Sequence, residues 1–438
     1  MRLFKFCLAA LTIMILANCG YAAAKPEFTS QVSFGDSLSD VGTYKKGVVA
    51  LLGGGQFTIN GTPPTNWTEL ISPKLGLAAP CAAQTGLDDG SAGVGGTSGV
   101  TYVPVENHAA CTNYAQGGSR VTHQPGIGNA ALGGGGFALT VPVHDQILNH
   151  LGTSNAPGGK FTGKEIVFVM AGANDVFFQL AILTPGATAA ATAAVTAAVP
   201  AQIQADINNG TCIPVDVQAS NCIPAAVAEL TSTVGAAAAD EYIGANSASA
   251  VPALHQAAVD LVNDVATLIL GNGAKYVTVA NIPDIGSAPA AAAMGAQTKA
   301  LLNSMVSEFN DTLKSGFDAL HGRFHVLFVD AYSVSKDEVA NPGKYNLTNV
   351  TGTACNLSFG VNPLASATSN GSSLVCNAAN LNTGVSATDH YLFADTVHPT
   401  PYGHSLFALY VLEAMENKGW YKYPKHESPH TNPFSSSH

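Results

Sequence analysis

Four short apolar runs, at 31–34, Glu165–Met170, Tyr276–Ala280 and 325–329, are separated by long stretches in which apolar residues recur at helical spacing. That alternation constrains the fold more than any other feature. A helix between two strands carries the chain back to the end of the sheet where it started, so successive strands lie parallel and helices cover both faces. The clearest helical segments are 251–270, 296–320 and Pro401–Asn417. The last begins on a proline and is followed by Gly419, as helix punctuation predicts.

In sheets of this kind reactive groups gather at the carboxyl ends of the strands. The first run continues as Phe34-Gly35-Asp36-Ser37-Leu38-Ser39-Asp40-Val41-Gly42, and the second leads into Gly172-Ala173-Asn174-Asp175. The third leads into Val279-Ala280-Asn281-Ile282-Pro283-Asp284-Ile285-Gly286. A serine delivered by a strand becomes a nucleophile only if a base takes its proton and fixed donors receive the charge that develops on the substrate oxygen. Downstream stand Asn113-Tyr114-Ala115-Gln116-Gly117-Gly118 and Asp395-Thr396-Val397-His398-Pro399-Thr400. Imidazole suits both proton transfers near neutrality, and Asp395, three residues before His398, is placed to accept its N–H. No G-x-S-x-G is present, which disfavours the other hydrolase fold built on that elbow.

The four blocks, in this order and spanning most of the chain, resemble the SGNH (GDSL) hydrolase family. The resemblance implies a flavodoxin-like α/β three-layer sandwich, a parallel sheet flanked by helices. It also implies a triad of Ser37, Asp395 and His398, and an oxyanion hole of the Ser37 and Gly117 amides with the Asn174 side chain. Asp36 and Asp175 are expected to fix loop geometry, and His404, in an HPTxxxH pattern, to be structural. No metal or cofactor is implied. The first and last blocks look like the bacterial lipase, phospholipase A and glycerophospholipid:cholesterol acyltransferase branch, in which a serine acyl-enzyme is released to water or to an alcohol such as a sterol. Thr43 follows Gly42 where that branch usually has Asn, a departure that bears on substrate preference more than on chemistry. The expected function is therefore an exported serine hydrolase of lipid acyl esters, with sterol as a candidate acceptor. A carbohydrate O-acetyl esterase using the same residues is the competing enzyme. An inactive surface-binding module is the competing non-enzyme, but would be expected to have lost Ser37, Asn174, Asp395 or His398.

Residues 1–24 read as a signal peptide: Arg2 and Lys5, a short apolar stretch, then Ala22-Ala23-Ala24. A lipoprotein anchored at Cys19 is the competing reading, with Asn18 fitting a lipobox poorly. Without this segment 16 basic residues face 29 acidic ones, a balance of −13. Such a surface is not built for nucleic acid or anionic membrane, so any lipid contact must be local and apolar. The predicted location is secreted or periplasmic, and the predicted state a monomer. Six of the eight cysteines remain. Sequence proximity favours Cys81–Cys111, Cys212–Cys222 and Cys355–Cys376, although about 15 connectivities exist for six cysteines and free thiols are the alternative.

The hydrolase domain is expected over 25–423. Within it, 86–99 and 133–136 are glycine-rich loops, and 345–388 is a polar loop holding Cys355 and Cys376. The Ala-rich insertion at 181–250 has two readings, a cap over the cleft and an exposed helical decoration. His426-Glu427-Ser428-Pro429-His430 imitates a zinc motif, but Pro429 forbids the helix it needs, and 424–438 is expected to be a disordered tail. Gly126-Ile127-Gly128 imitates a dinucleotide turn with no strand before it, and reads as a loop.

Overall fold

The computed structural model describes residues 25–61, 65–87, 103–128, 139–213, 222–320, 326–367 and 369–424. Residues 1–24, read above as a signal peptide, most of the two glycine-rich loops and all but the first residue of the predicted tail lie outside the described residues. All four predicted strands form, as β1 (Ser30–Gly35), β2 (Glu165–Met170), β3 (Tyr276–Ala280) and β4 (Val326–Val329). They make one parallel sheet in that order. The register places Gly35 beside Met170 and Met170 beside Ala280, so the strands end level and their loops open at one edge.

A further extended segment escaped the sequence reading. Residues 112–116 run parallel along the free edge of β1: Ser33 donates to the Thr112 carbonyl, and Tyr114 and Gln116 donate to the carbonyls of Ser33 and Gly35. The chain thus leaves β1 to one side, then returns across it to β2. That reversal opens a crevice at the carboxyl end of β1, where ligands bind in open α/β sheets.

Successive side chains of the central strands serve opposite faces, yet both faces are buried. Val32, Phe34, Val167, Val169, Val277 and Val279 join a core with the helices Val143–Leu151 (α2), Ala250–Asp264 (α4) and Ala296–Ala319 (α5). Ile166, Phe168, Met170, Leu327 and Val329 meet Trp67 and Ile71 of Trp67–Lys74 (α1), and Val411, Leu412 and Met415 of Pro401–Asn417 (α7). Each fully buried aliphatic or aromatic side chain contributes about 1.5–3 kcal/mol, so the layers hold through many such contacts. This is the expected three-layer α/β sandwich. Asn66 caps α1 in a reciprocal capping box with Glu69, and its amide also reaches the Leu38 carbonyl at 2.9 Å, tying that helix to the turn after β1.

Ala173–Asn208 (α3) is a single 36-residue helix that runs from the Asn174 block into the Ala-rich insertion. Beyond its first turns it packs against Cys222–Leu230 and Ala236–Asn246 as a helical projection of the insertion. Cys81–Cys111, Cys212–Cys222 and Cys355–Cys376 are bridged, with Cα separations of 5.0, 5.7 and 6.0 Å.

Candidate active site

The turn that carries Ser37 is held from several sides. Gln146 of α2 clamps Gly35 at both backbone groups, accepting from its N–H at 2.9 Å and donating to its carbonyl at 2.8 Å. Asp36 is buried and accepts the Leu38 amide at 3.0 Å, which closes the turn around Ser37. Burial pushes the Asp36 carboxyl up to about 7, against the lowering effect of that amide.

Ser37 Oγ lies 2.9 Å from His398 Nε2. His398 Nδ1 lies 2.8 Å from Asp395 Oδ2 and 2.9 Å from Oδ1. Asp395 follows the strand Tyr391–Phe393, and the Ala394 amide bonds back to the His398 carbonyl at 2.8 Å, so a tight turn fixes the pair. Burial alone would raise the Asp395 carboxyl. The charge and N–H of His398, with hydrogen bonds from Ser373 and Val397, outweigh it and hold the group well below the usual carboxylate range. It is thus built to stay ionised beside an imidazolium. The Phe57 ring lies 5.0 Å from the His398 ring and shields its face. Thr400 then caps α7, accepting from Gly403 at 3.1 Å.

Asn174 sits in the first turn of α3. The turn depends on Gly172, whose φ of 113° and whose approach to Phe309 (2.4 Å from an added Cβ) exclude other residues. Asn174 Nδ2 donates one hydrogen to the Ser119 carbonyl at 3.0 Å, leaving its second for a ligand. Asp175 is buried; its Oδ1 lies 3.0 Å from Arg120 Nε and its Oδ2 3.0 Å from the Val121 amide. It therefore ties the start of α3 to the segment after Gly118.

Gly117 is packed so closely that an added Cβ would stand 2.2 Å from the Phe57 ring. Its amide, the donor expected from sequence, is directed at Asp40 Oδ2, 3.0 Å away. Asp40 also accepts from Gly42 and Thr43, each at 2.8 Å. Burial pushes its carboxyl up to about 6 despite these three amides. Asp40 was visible in the first block but received no role from sequence. The neighbouring Gly118 lines the cavity, and its amide has no partner among the described residues. The amide of Ser37 is likewise without one.

These groups open onto one cavity of about 420 Å³. Its walls include Leu38, Ile127, Met170, Phe177, Ile285 and Phe407, with Asp36, Asp284 and Glu338 as carboxyls and, among the described residues, no lysine or arginine. Leu364, Gly371 and Leu374, inside the Cys355–Cys376 loop, also line it, whereas among the described residues none from 181–250 does. His404 borders the cavity, and burial with the nearby His398 charge depresses its imidazole to about 3. Among the described residues no three His, Cys, Asp or Glu side chains converge as metal ligands would.

The family model for GDSL-like lipases and acylhydrolases matches residues 32–411. The chain belongs to that family, and its fold is the flavodoxin-like sandwich of SGNH hydrolases. It is a serine hydrolase of carboxylic esters. Comparison with curated proteins gives no match.

Proposed function

We propose that the protein is an exported hydrolase of lipid acyl esters. The observation that carries this reading is the largely apolar cavity, without lysine or arginine among the described residues, into which the Ser37–His398–Asp395 chain opens. An acyl chain gains about 0.8 kcal/mol for each methylene it buries in such a space, whereas a sugar would leave its hydroxyls facing hydrocarbon. That contrast disfavours a carbohydrate O-acetyl esterase.

In this reading His398 Nε2 takes the Ser37 proton as Oγ attacks the ester carbonyl, and Asp395 stabilises the imidazolium. The oxyanion is received by the Ser37 amide and the free Asn174 N–H. The backbone donor is Gly118 rather than Gly117, because the Gly117 amide is already engaged by Asp40. His398 then returns the proton to the departing alcohol, leaving the acyl group on Ser37. Water attacking this ester completes hydrolysis; an alcohol such as a sterol attacking it completes transfer. Asp36 and Asp175 position the loops. The three disulfides suit an oxidising compartment outside the cytoplasm. Exposed Ile182, Val227 and Val234 on the helical projection support transient contact with lipid.

The test is fatty-acid release from a long-chain phospholipid by the mature protein beside Ser37→Ala, with cholesterol present so that sterol ester is also scored. Release lost in the variant supports the reading, and sterol ester adds transfer. No release by the wild-type protein, with short-chain esters still cleaved, overturns the lipid assignment.

A further inference from the structure

Seven carboxyl side chains are buried among the described residues. Six have partners: Asp36, Asp40, Glu165, Asp175 and Asp395 accept hydrogen bonds from backbone amides, and Asp264 lies 2.9 Å from the His144 ring nitrogen. The seventh, Glu338, has none. It lies in the helix Ala331–Ala340 (α6), is 5% exposed, and lines the catalytic cavity. The contrast with its neighbour is direct, since Asp337, on the outer side of the same helix, is held by Asn341, Lys344 and Tyr345. The Glu338 oxygens are not among the fully sealed polar atoms, and the residue lines the cavity.

A buried carboxyl without a partner is destabilising by the full desolvation penalty of the group. A position on a helix between Val334 and Val339, also in the cavity wall, would be filled more stably by leucine or methionine. From this we infer that Glu338 is a hydrogen-bonding anchor for a hydroxyl group on an otherwise apolar ligand. The inference rests on the reading of the cavity as a lipid site, and names a polar position within it. Burial and the neighbouring Asp337 push the Glu338 carboxyl up to about 8, so near neutrality it is mainly uncharged and both donates and accepts. A hydroxyl matches both capacities and brings no charge to be desolvated. An ammonium would require two charges to be buried together in an apolar wall. An anionic group would meet three carboxyls and no cation. The hydroxyl belongs either to the acyl chain or to the acceptor alcohol.

Binding is measured in the Ser37→Ala protein, where turnover cannot interfere, by the fluorescence of Trp67, which borders the cavity. The probes are octan-1-ol, octane-1,8-diol and 8-aminooctan-1-ol. With Glu338 in place the diol is expected to bind at least as tightly as the alcohol, although its second hydroxyl favours water. Adding E338L should lower the diol-to-alcohol affinity ratio about tenfold or more, and adding E338Q, which keeps a donor and an acceptor, by less than about threefold. The E338L protein should also melt no lower than its parent, which a structural carboxyl would not allow. An unchanged ratio in E338L overturns the inference, as does a Glu338-dependent preference for the amine. Should E338L not fold, a diol that binds the Ser37→Ala protein about tenfold more weakly than the alcohol overturns it alone. Because no ester is cleaved here, this failure is separate from failure of the lipid-hydrolase reading. In the wild-type enzyme, a Glu338-dependent gain in kcat/KM for an ω-hydroxyacyl ester assigns the hydroxyl to the acyl chain. A Glu338-dependent gain in alcoholysis by the diol assigns it to the acceptor, and a gain in neither overturns the inference.

Discussion

The Ser373 amide donates to Asp395 Oδ2 at 2.9 Å, so the carboxylate that orients His398 is held partly by the loop that Cys355 and Cys376 close. The same loop supplies Leu364, Gly371 and Leu374 to the cavity wall. One bridge therefore serves both the Asp395–His398 geometry and the wall of the cavity.

Replacing both cysteines, Cys355→Ser with Cys376→Ser, frees this loop. Its sequence separation of 21 corresponds to about 3 kcal/mol of unfolded-state constraint, and kcat is expected to fall about tenfold or more. Denaturant melts and steady-state kinetics on the double variant check both. Unchanged kcat would show that the loop does not position Asp395.

Asp395→Asn keeps the shape of the side chain but removes the charge opposite the imidazolium. A loss on the order of 10⁴ in kcat with little change in KM is expected. Comparison with Ser37→Ala on a soluble ester gives the measurement, and a loss below tenfold would remove Asp395 from the proposed triad.

In the proposed reading Asn174 Nδ2 strengthens its hydrogen bond as charge develops on the substrate oxygen. Asn174→Ala should lower kcat about 10²–10³-fold at nearly constant KM. A change confined to KM would instead mark Asn174 as a ground-state contact.

His404 gives a pH test with a defined sign. Burial, with the nearby His398 charge, depresses its imidazole from the ordinary 6.5 to about 3 in the native protein. The stability associated with neutral His404 is thus complete above 6.5 and is lost as pH falls towards 3. The stability of wild type relative to His404→Gln should fall across that interval, at most about 1.4 kcal/mol per pH unit. Parallel stability curves between pH 7 and pH 4 would contradict a neutral, buried imidazole.

The sheet was legible because its strands are short apolar runs with distinctive exits, and β2 and β3 match the predicted limits residue for residue. The segment 112–116 was not, since Asn113, Tyr114 and Gln116 pair by backbone bonds that leave no apolar pattern. The pairing of Asp395 with His398 was legible through local spacing, because the two share one turn. Gly117 shows the limit: Gly117 and Gly118 are identical in sequence, and only the position of Asp40 distinguishes their amides. Glu338 carried no motif at all. A lone glutamate at helical spacing reads as a solvated face, and its isolation emerges only when every neighbouring donor has been placed.

The hydrogen bond between Ser37 and His398 spans 361 positions of sequence. A ribosome must therefore reach His398 before the two side chains can meet, and in the proposed reading any nascent fragment ending earlier is chemically silent. Turnover in a preparation is for that reason a count of molecules whose Ser37 and His398 turns have found each other, a sharper gauge of completed folding than helix content or solubility.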